Sequence, residues 1–459
     1  MNYENYFDVD AHDNTPIAIY QKIKSLNPCF LLESVEGGDK EARYSFIGIQ
    51  AHSVLEIKDG EAQINERKVH YPSTRSDWKS LLRSFLNEAP SLTPLIPKQP
   101  FSGGFIGATG YECAYEFESV KVNKDLKKRA RAIYIAPSAM LIFDHHLGKI
   151  ALLDSSSKEE RKHLKNKAKE LITSTKFISH TSSYLSAENA SIQDNQFLNA
   201  VTKAKKNIYD GDIFQVVLSI KFSGTSGIDP ISCYEKLRAL NPSPYHYLFE
   251  NKDLCIVGSS PEALVKLEDN EAFLKPIAGT KPRGKTPIED DALEEELIND
   301  PKEKAEHVML IDLARNDLGR VAIEGSISVE PYMVIERYSH VMHIVSGVKG
   351  RLAPEYDAFD LFMSAFPAGT LVGAPKIKAM EIIAGLEPCK RDFYGGTVGY
   401  FSKNGNMDQA ITIRTVVFEG ERYSFQAGAG IVADSTPEGE LKEIMAKSDV
   451  LRRALSSMI

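Results

Sequence analysis

Cysteine is scarce: 459 residues hold five, Cys29, Cys113, Cys233, Cys255 and Cys389, with no CxxC pair. An odd, scattered set excludes a disulfide framework and fits reduced thiols in a cytosolic protein. Basic blocks are missing as well. With 55 Lys and Arg against 63 Asp and Glu, the formal net charge is -8, and no basic stripe stands ready for a nucleic-acid partner. No apolar run reaches bilayer length, and the start, MNYENYFDVDAHD, lacks the basic and apolar regions of a signal peptide. A soluble, cytoplasmic protein without a membrane partner is expected. Nucleophile-elbow motifs (G-x-S-x-G, G-x-C-x-G) and H-E-x-x-H are absent, which argues against covalent hydrolytic catalysis.

What is present is enough apolar residue, 42%, to build sizeable cores over two or three domains or one large sandwich with an added lobe. Helical spacing covers Thr15 to Leu26, Lys158 to Thr173 and Phe197 to Tyr209, and a longer helical region runs from Glu289 to Ala314. Strand-like runs fill most of the remainder. The pair in Cys29 to Gln50 joins through a Gly-Gly turn, and Val54 to His70, Ala132 to Leu153, Asp212 to Phe222, Gln409 to Phe418 and Arg422 to Ile431 follow. Phe101 to Tyr115 is glycine-rich without a nucleotide fingerprint, so close backbone packing in a sheet explains it best. Tight turns without a βαβ rhythm predict an α+β fold: a large antiparallel β-sandwich core with helices outside, plus a smaller N-terminal α/β lobe. The polar stretch Ser174 to Asn195 divides residues 1–190 from residues 191–459.

Chemistry concentrates in QAGAGIVADSTPEGELKEIMAK, Gln426 to Lys447. Gly428, Ala429 and Gly430 end a strand and leave room for an anion near the backbone. Glu440, Glu443 and Lys447 then fall on one helix face, although a run of charges is more often a solvated surface. Glu303 and Glu306 form a second i, i+3 pair, with Lys302 and Lys304 as possible surface partners. Facing each other, the two pairs suit a divalent ion such as magnesium. Arg414, inside ITIRTVVF, needs a partner, either a buried carboxylate of the protein or one of a ligand. His343 in HVMHIVSGV is a core histidine or an acid-base group, and Glu262 in GSSPEALV is a turn residue or a general acid.

Taken together, PIAGTKPRG (276–284), EHVMLIDLARNDLGRV (306–321), ERYSHVMHIVSGV (336–348), FPAGTLVGAPKIKAM (366–380), YGGTVGY (394–400) and ITIRT (411–415) resemble the chorismate-utilising enzymes, most closely their anthranilate-forming branch. The similarity is nearly continuous from Asp212 to Lys447 and weaker before residue 190, where LLES (31–34) and ARYSFIG (42–48) carry it. The resemblance implies magnesium held directly by Glu306 and Glu443, with Glu303 and Glu440 supporting through water. It places the ring carboxylate near Gly428, Ala429, Gly430 and Lys447, and the enolpyruvyl carboxylate on Tyr394 and Arg414. Glu262 would protonate the departing C4 hydroxyl, with His343 and Thr370 assisting C2 deprotonation and pyruvate loss. The segment Ala278, Gly279, Thr280 and the residue Gln215 would line the substrate.

Two positions distinguish branches of the family. Ala278 stands where one aminodeoxychorismate-forming group has a lysine nucleophile, and Gln215 where isochorismate- and salicylate-forming enzymes have a lysine base. Both departures favour ammonia as nucleophile and anthranilate plus pyruvate as products, in tryptophan biosynthesis. A separate glutamine amidotransferase would supply the ammonia. The resemblance also implies feedback by tryptophan, bound by Glu33, Ser34, Pro244, Tyr245 and His246, the last standing where a methionine is expected. The rival readings are an aminodeoxychorismate-forming enzyme of folate synthesis and a non-catalytic module that senses tryptophan or docks the amidotransferase.

Overall fold

A computed structural model describes residues 7, 14–34, 43–96, 99–122, 130–174, 184–338 and 341–456. Among the described residues, twenty strands join one sheet and three form another, and every pairing is antiparallel, giving the expected α+β class. The Gly-Gly turn expected at 37–38 lies outside the described residues.

One hydrogen-bonded path organises the large sheet. The strand Pro28–Glu33 pairs on one edge with Tyr44–Lys58 and on the other with Tyr245–Asn251. From Tyr245–Asn251 the path continues through Leu254–Ser260, Thr415–Glu419 and Arg422–Ile431 to Gln215–Thr225. From Tyr44–Lys58 it runs through Ala132–Asp144, Gly104–Thr109, Thr397–Ser402 and Met407–Ile411 to Ala263–Glu268. Right-handed twist curls so long a sheet back on itself. Phe30, Tyr247 and Ile256 of one arm therefore share a core with Phe46, Ile106, Ile135 and Tyr400 of the other. Strands from both sides of residue 190 belong to this one sheet.

Close approach explains the glycines of Phe101 to Tyr115: a Cβ on Gly107 would lie 2.1 Å from the Ile133 carbonyl oxygen. Helices cover the outer faces, where a second core runs. The predicted helix over residues 158–173 appears as Lys158–Thr173, closed by a Ser157/Glu160 capping box. The long helical region is two helices, Pro287–Asn299 and Pro301–Gly319, because Pro301 cannot continue the first and instead starts the second. Of the described helices longer than two turns, two went unread: Arg75–Glu88, capped by Thr74, and Pro230–Leu240, capped by Asp229. The five cysteines are free thiols, four of them buried. No helix among the described residues is long and apolar enough to cross a membrane.

Candidate active site

The chain passes from Leu254–Ser260 to Ala263–Glu268, strands at distant points of the sheet path, through Pro261 and Glu262. The Glu262 carbonyl accepts from Ile411 N at 2.9 Å, which fixes the backbone there. Its side chain accepts from Thr370 Oγ1 at 2.7 Å. Thr370 sits on the single helical turn Gly369–Val372, so the structure groups it with Glu262. Burial pushes the Glu262 carboxyl up to about 7, against the opposing pull of Thr370, Lys447 and Arg414. A carboxyl titrating there holds a proton for a leaving group at neutral pH.

His343 lies in the small sheet, on the strand Val341–Val345, opposite Glu336 of Val334–Arg337. The third strand, Ile277–Pro282, shifts register between Ala278 and Lys281, leaving Gly279 and Thr280 in a bulge. Gly279 has φ +66, the left-handed region that suits glycine. Its carbonyl accepts from His343 Nδ1 at 2.8 Å, and Thr280 Oγ1 lies 3.2 Å from the same nitrogen. With Nδ1 protonated, Nε2 carries the lone pair. Burial holds the imidazole below its ordinary pKa and so favours the neutral base.

The expected strand around Arg414 is broken. Met407–Ile411 ends before it, Thr415–Glu419 begins after it, and Arg414 itself has φ +49. Its carbonyl accepts from Ser259 N at 3.2 Å and its guanidinium donates to Asn241 Oδ1 at 3.4 Å. No carboxylate of the described residues lies within ion-pair distance of it, although the Glu262 carboxyl is near enough to favour its charge against burial. The glycine strand is nearby: a Cβ on Gly428 would stand 2.5 Å from Tyr394 Oη, and one on Gly430 would stand 2.8 Å from Gln215 Nε2. Gly428 and Gly430 share one face while Ala429 is buried on the other, as strand alternation demands. Lys447 Nζ donates to the Gly428 carbonyl at 3.2 Å.

The two glutamate pairs lie in the first two turns of their helices. Asp300 caps Pro301–Gly319 by accepting from Lys302 N at 2.8 Å and Glu303 N at 3.2 Å. On Pro437–Ser456, the buried Ile444, Ser448, Leu451 and Leu455 pack inward and set Glu440, Glu443 and Lys447 on the flank. Gln215 Nε2 donates to Glu306 Oε1 at 3.2 Å, and Lys447 pairs with Glu443 at 2.6 Å. Among the described residues no three acidic, histidine or cysteine side chains already converge as a metal cage. The donor set nevertheless fits a hard cation. Burial raises the pKa of both Glu303 and Glu440; Glu306 adds to the first, while at Glu440 a Ser435 hydrogen bond opposes the rise and Glu443 adds to it, and Glu440 Oε2 is buried without a hydrogen-bond partner. A cation that shares its shell with waters relieves both strains.

A cavity of about 780 Å³ opens between the arms of the large sheet and the small sheet, lined by Glu33, Ser34, Pro244, Tyr245 and His246 among others. All five residues expected to bind tryptophan thus meet. The Glu33 carboxylate, however, is held by Tyr234 Oη at 2.5 Å and Arg238 Nε at 2.9 Å, so it is already neutralised. His246 Nε2 accepts from Ser243 N at 3.1 Å, and burial pulls its pKa down to about 3, which makes it a neutral wall residue.

The sequence profile of the chorismate binding enzymes matches residues 27–453. The chain belongs to that family. Among curated chorismate binding relatives, "Anthranilate synthase component 1" of Acetivibrio thermocellus is 41% identical, covering 98% of this chain and 94% of the relative. The protein of that name from Pseudomonas aeruginosa is 42% identical over the same shares. Of solved structures, anthranilate synthase component I from Streptococcus pneumoniae superposes with a TM-score of 0.78 at 32% identity, covering 98% of this chain and 100% of that one. The menaquinone-specific isochorismate synthase of Escherichia coli shares the fold, with a TM-score of 0.72 at 19% identity over 96% and 91%. Sequence reasoning missed Asn241 beside Arg414 and the cavity wall formed by Ile277, Glu336 and Tyr338. Asn241 opens the stretch NPSPYHY, 241–247, which resembles the segment that closes over the tryptophan site, but it follows a helix end and carries no charge, so nothing local tied it to Arg414.

Proposed function

We propose that this chain is the chorismate-aminating subunit that makes anthranilate and pyruvate, using ammonia from a separate glutamine amidotransferase. The observation that carries the reading is the similarity, across almost the whole chain, to proteins named anthranilate synthase component 1. Ala278 and Gln215 support it, since neither offers the lysine of the other branches. Aminodeoxychorismate formation is not favoured by any of the relatives compared.

In this reading ammonia attacks C2, both ring double bonds shift (C1=C2 to C1=C6 and C5=C6 to C4=C5), and the C4 hydroxyl leaves as water with the proton of Glu262. His343 Nε2 then takes the C2 proton as the C3–O bond breaks, and enolpyruvate departs to become pyruvate while the ring aromatises. Thr370 keeps the Glu262 carboxyl oriented. Arg414 and Tyr394 clamp the enolpyruvyl carboxylate, and the Gly428–Gly430 strand with Lys447 receives the ring carboxylate. Magnesium would be held by Glu306 and Glu443, with Glu303 and Glu440 through water, and it supplies counter-charge to that carboxylate. The 780 Å³ cavity is the tryptophan site, with Ser34 on its wall and Pro244 and Tyr245 packing on the ring. Incubation with chorismate, magnesium and ammonium, followed by mass and fluorescence of the product, tests the assignment. Anthranilate is expected, and an aminodeoxychorismate would refute it.

A further inference from the structure

His343 and one wall of the large cavity share a face of the three-stranded sheet. Glu336 is the cross-strand partner of His343, and Tyr338 lies two residues further on, where its N donates to Val341 O at 2.8 Å. Strand alternation puts Glu336, Tyr338 and His343 on one side of that hairpin. The Tyr338 ring meets the imidazole edge-on, with centroids 5.5 Å apart and planes at 65°. Its hydroxyl donates to Glu336 Oε2 at 2.8 Å, and Glu336 pairs with Lys275 at 2.9 Å. Lys275, Glu336 and Tyr338 line the cavity, as does Ile277, which leads into the bulge holding Gly279. A small pocket beside Glu262 and Thr370, about 50 Å³, shares the wall residues Ala263 and Lys275 with the large cavity. The two spaces thus adjoin at Ala263 and Lys275.

We propose that Tyr338 is the positioning residue for His343 and the contact through which occupancy of the cavity reaches the catalytic histidine. This rests on the reading that the cavity takes tryptophan. A ligand that binds one arrangement of the Lys275, Glu336 and Tyr338 wall better than another biases the ring on which His343 rests. The imidazole itself is half-buried among the Gly279 carbonyl, Thr280, Arg414 and Glu336; Arg414 opposes its protonation and Glu336 favours it. Removing the Tyr338 ring admits water, moves the imidazole toward its ordinary pKa, and loosens Nε2.

The test is Tyr338→Leu in the full chain, with tryptophan binding by calorimetry, inhibition by tryptophan, and pH profiles measured side by side. Expected are a tryptophan Kd within about threefold of the parent and a half-inhibiting concentration raised at least tenfold. kcat should fall several-fold with KM for chorismate unchanged, and the acid limb of the pH profile should move upward. A Kd and half-inhibiting concentration that rise together would make Tyr338 a ligand contact only and overturn the coupling. An unmoved acid limb with unchanged kcat would overturn the positioning role. If Tyr338→Leu does not fold, Glu336→Gln carries the same test, with binding kept and inhibition weakened at least threefold; unweakened inhibition overturns the proposal. Absence of tryptophan binding to the parent at millimolar concentration refutes the cavity reading instead, while kcat and the acid limb still judge the positioning role.

Discussion

In the proposed mechanism Glu262 can serve as the general acid because burial outweighs the neighbours that favour its charge. A general acid must be protonated, so activity should fall as pH rises through about 7, where this carboxyl titrates. His343 must be neutral, and burial puts its pKa below the ordinary histidine value, so activity should fall again on the acid side. The kcat/KM profile is expected to be a bell with its alkaline limb near pH 7 set by Glu262. Glu262→Gln keeps the acceptor for Thr370 but has no proton to give. Its kcat should drop by roughly 100-fold or more, with the alkaline limb gone. A surviving limb in the variant would assign it to another group. Glu262 and His343 were legible because their neighbouring residues form distinctive motifs. The pairing of Thr370 with Glu262 was not, because it joins residues 108 positions apart. Arg414 was misplaced for a physical reason: ITIRTVVF is so rich in β-branched residues that nothing local marks the turn which the φ of +49 creates.

At the scale of elements, the glycine strand is the least forgiving part of the site. Gly428 lacks a positive φ, so its backbone would accept alanine, but the added methyl would meet Tyr394 Oη at 2.5 Å and the Leu218 carbonyl at 3.0 Å. Gly428→Ala is therefore expected to displace Tyr394 and lower kcat/KM at least tenfold, about 1.4 kcal/mol of transition-state binding. Gly430→Ala meets the amide end of Gln215, which can turn aside, and should cost less. Steady-state kinetics of the two variants checks the order. Elements with strong local signals were readable, such as the capped helix Lys158–Thr173. Arg75–Glu88 had signals too, a Thr74 cap and Trp78, Leu82 and Phe85 at helical spacing, yet was passed over amid strand-like neighbours. What no local pattern reveals is that Lys302 of one helix comes within electrostatic reach of Glu440 of another, since that depends on the curl of the whole sheet.

Across the molecule, Arg391 is the buried tie between distant segments. Its guanidinium pairs with Glu387 at 2.7 Å and donates to the carbonyls of Leu371 at 2.7 Å and Val217 at 2.8 Å. Its own N–H donates to Glu112 Oε1 at 2.7 Å, from the first third of the chain. Arg391→Met strands the Glu387 carboxylate in the core, which costs about 3–5 kcal/mol and should lower the thermal midpoint by several degrees. Adding Glu387→Gln should recover part of that loss, because Gln removes the unpaired charge and still accepts from Ser219. Scanning fluorimetry of the single and double variants measures the difference. The α+β class followed from strand groups and turns, whereas the sheet's passage across residue 190 was hidden, since pairing partners such as Leu31 and Leu248 lie far apart in the chain. That passage also governs how the chain is made. Pro28–Glu33 leaves the ribosome long before Tyr245–Asn251 and must wait with one flank bare, an invitation to pair with a neighbouring nascent chain, until the later strand arrives to claim it.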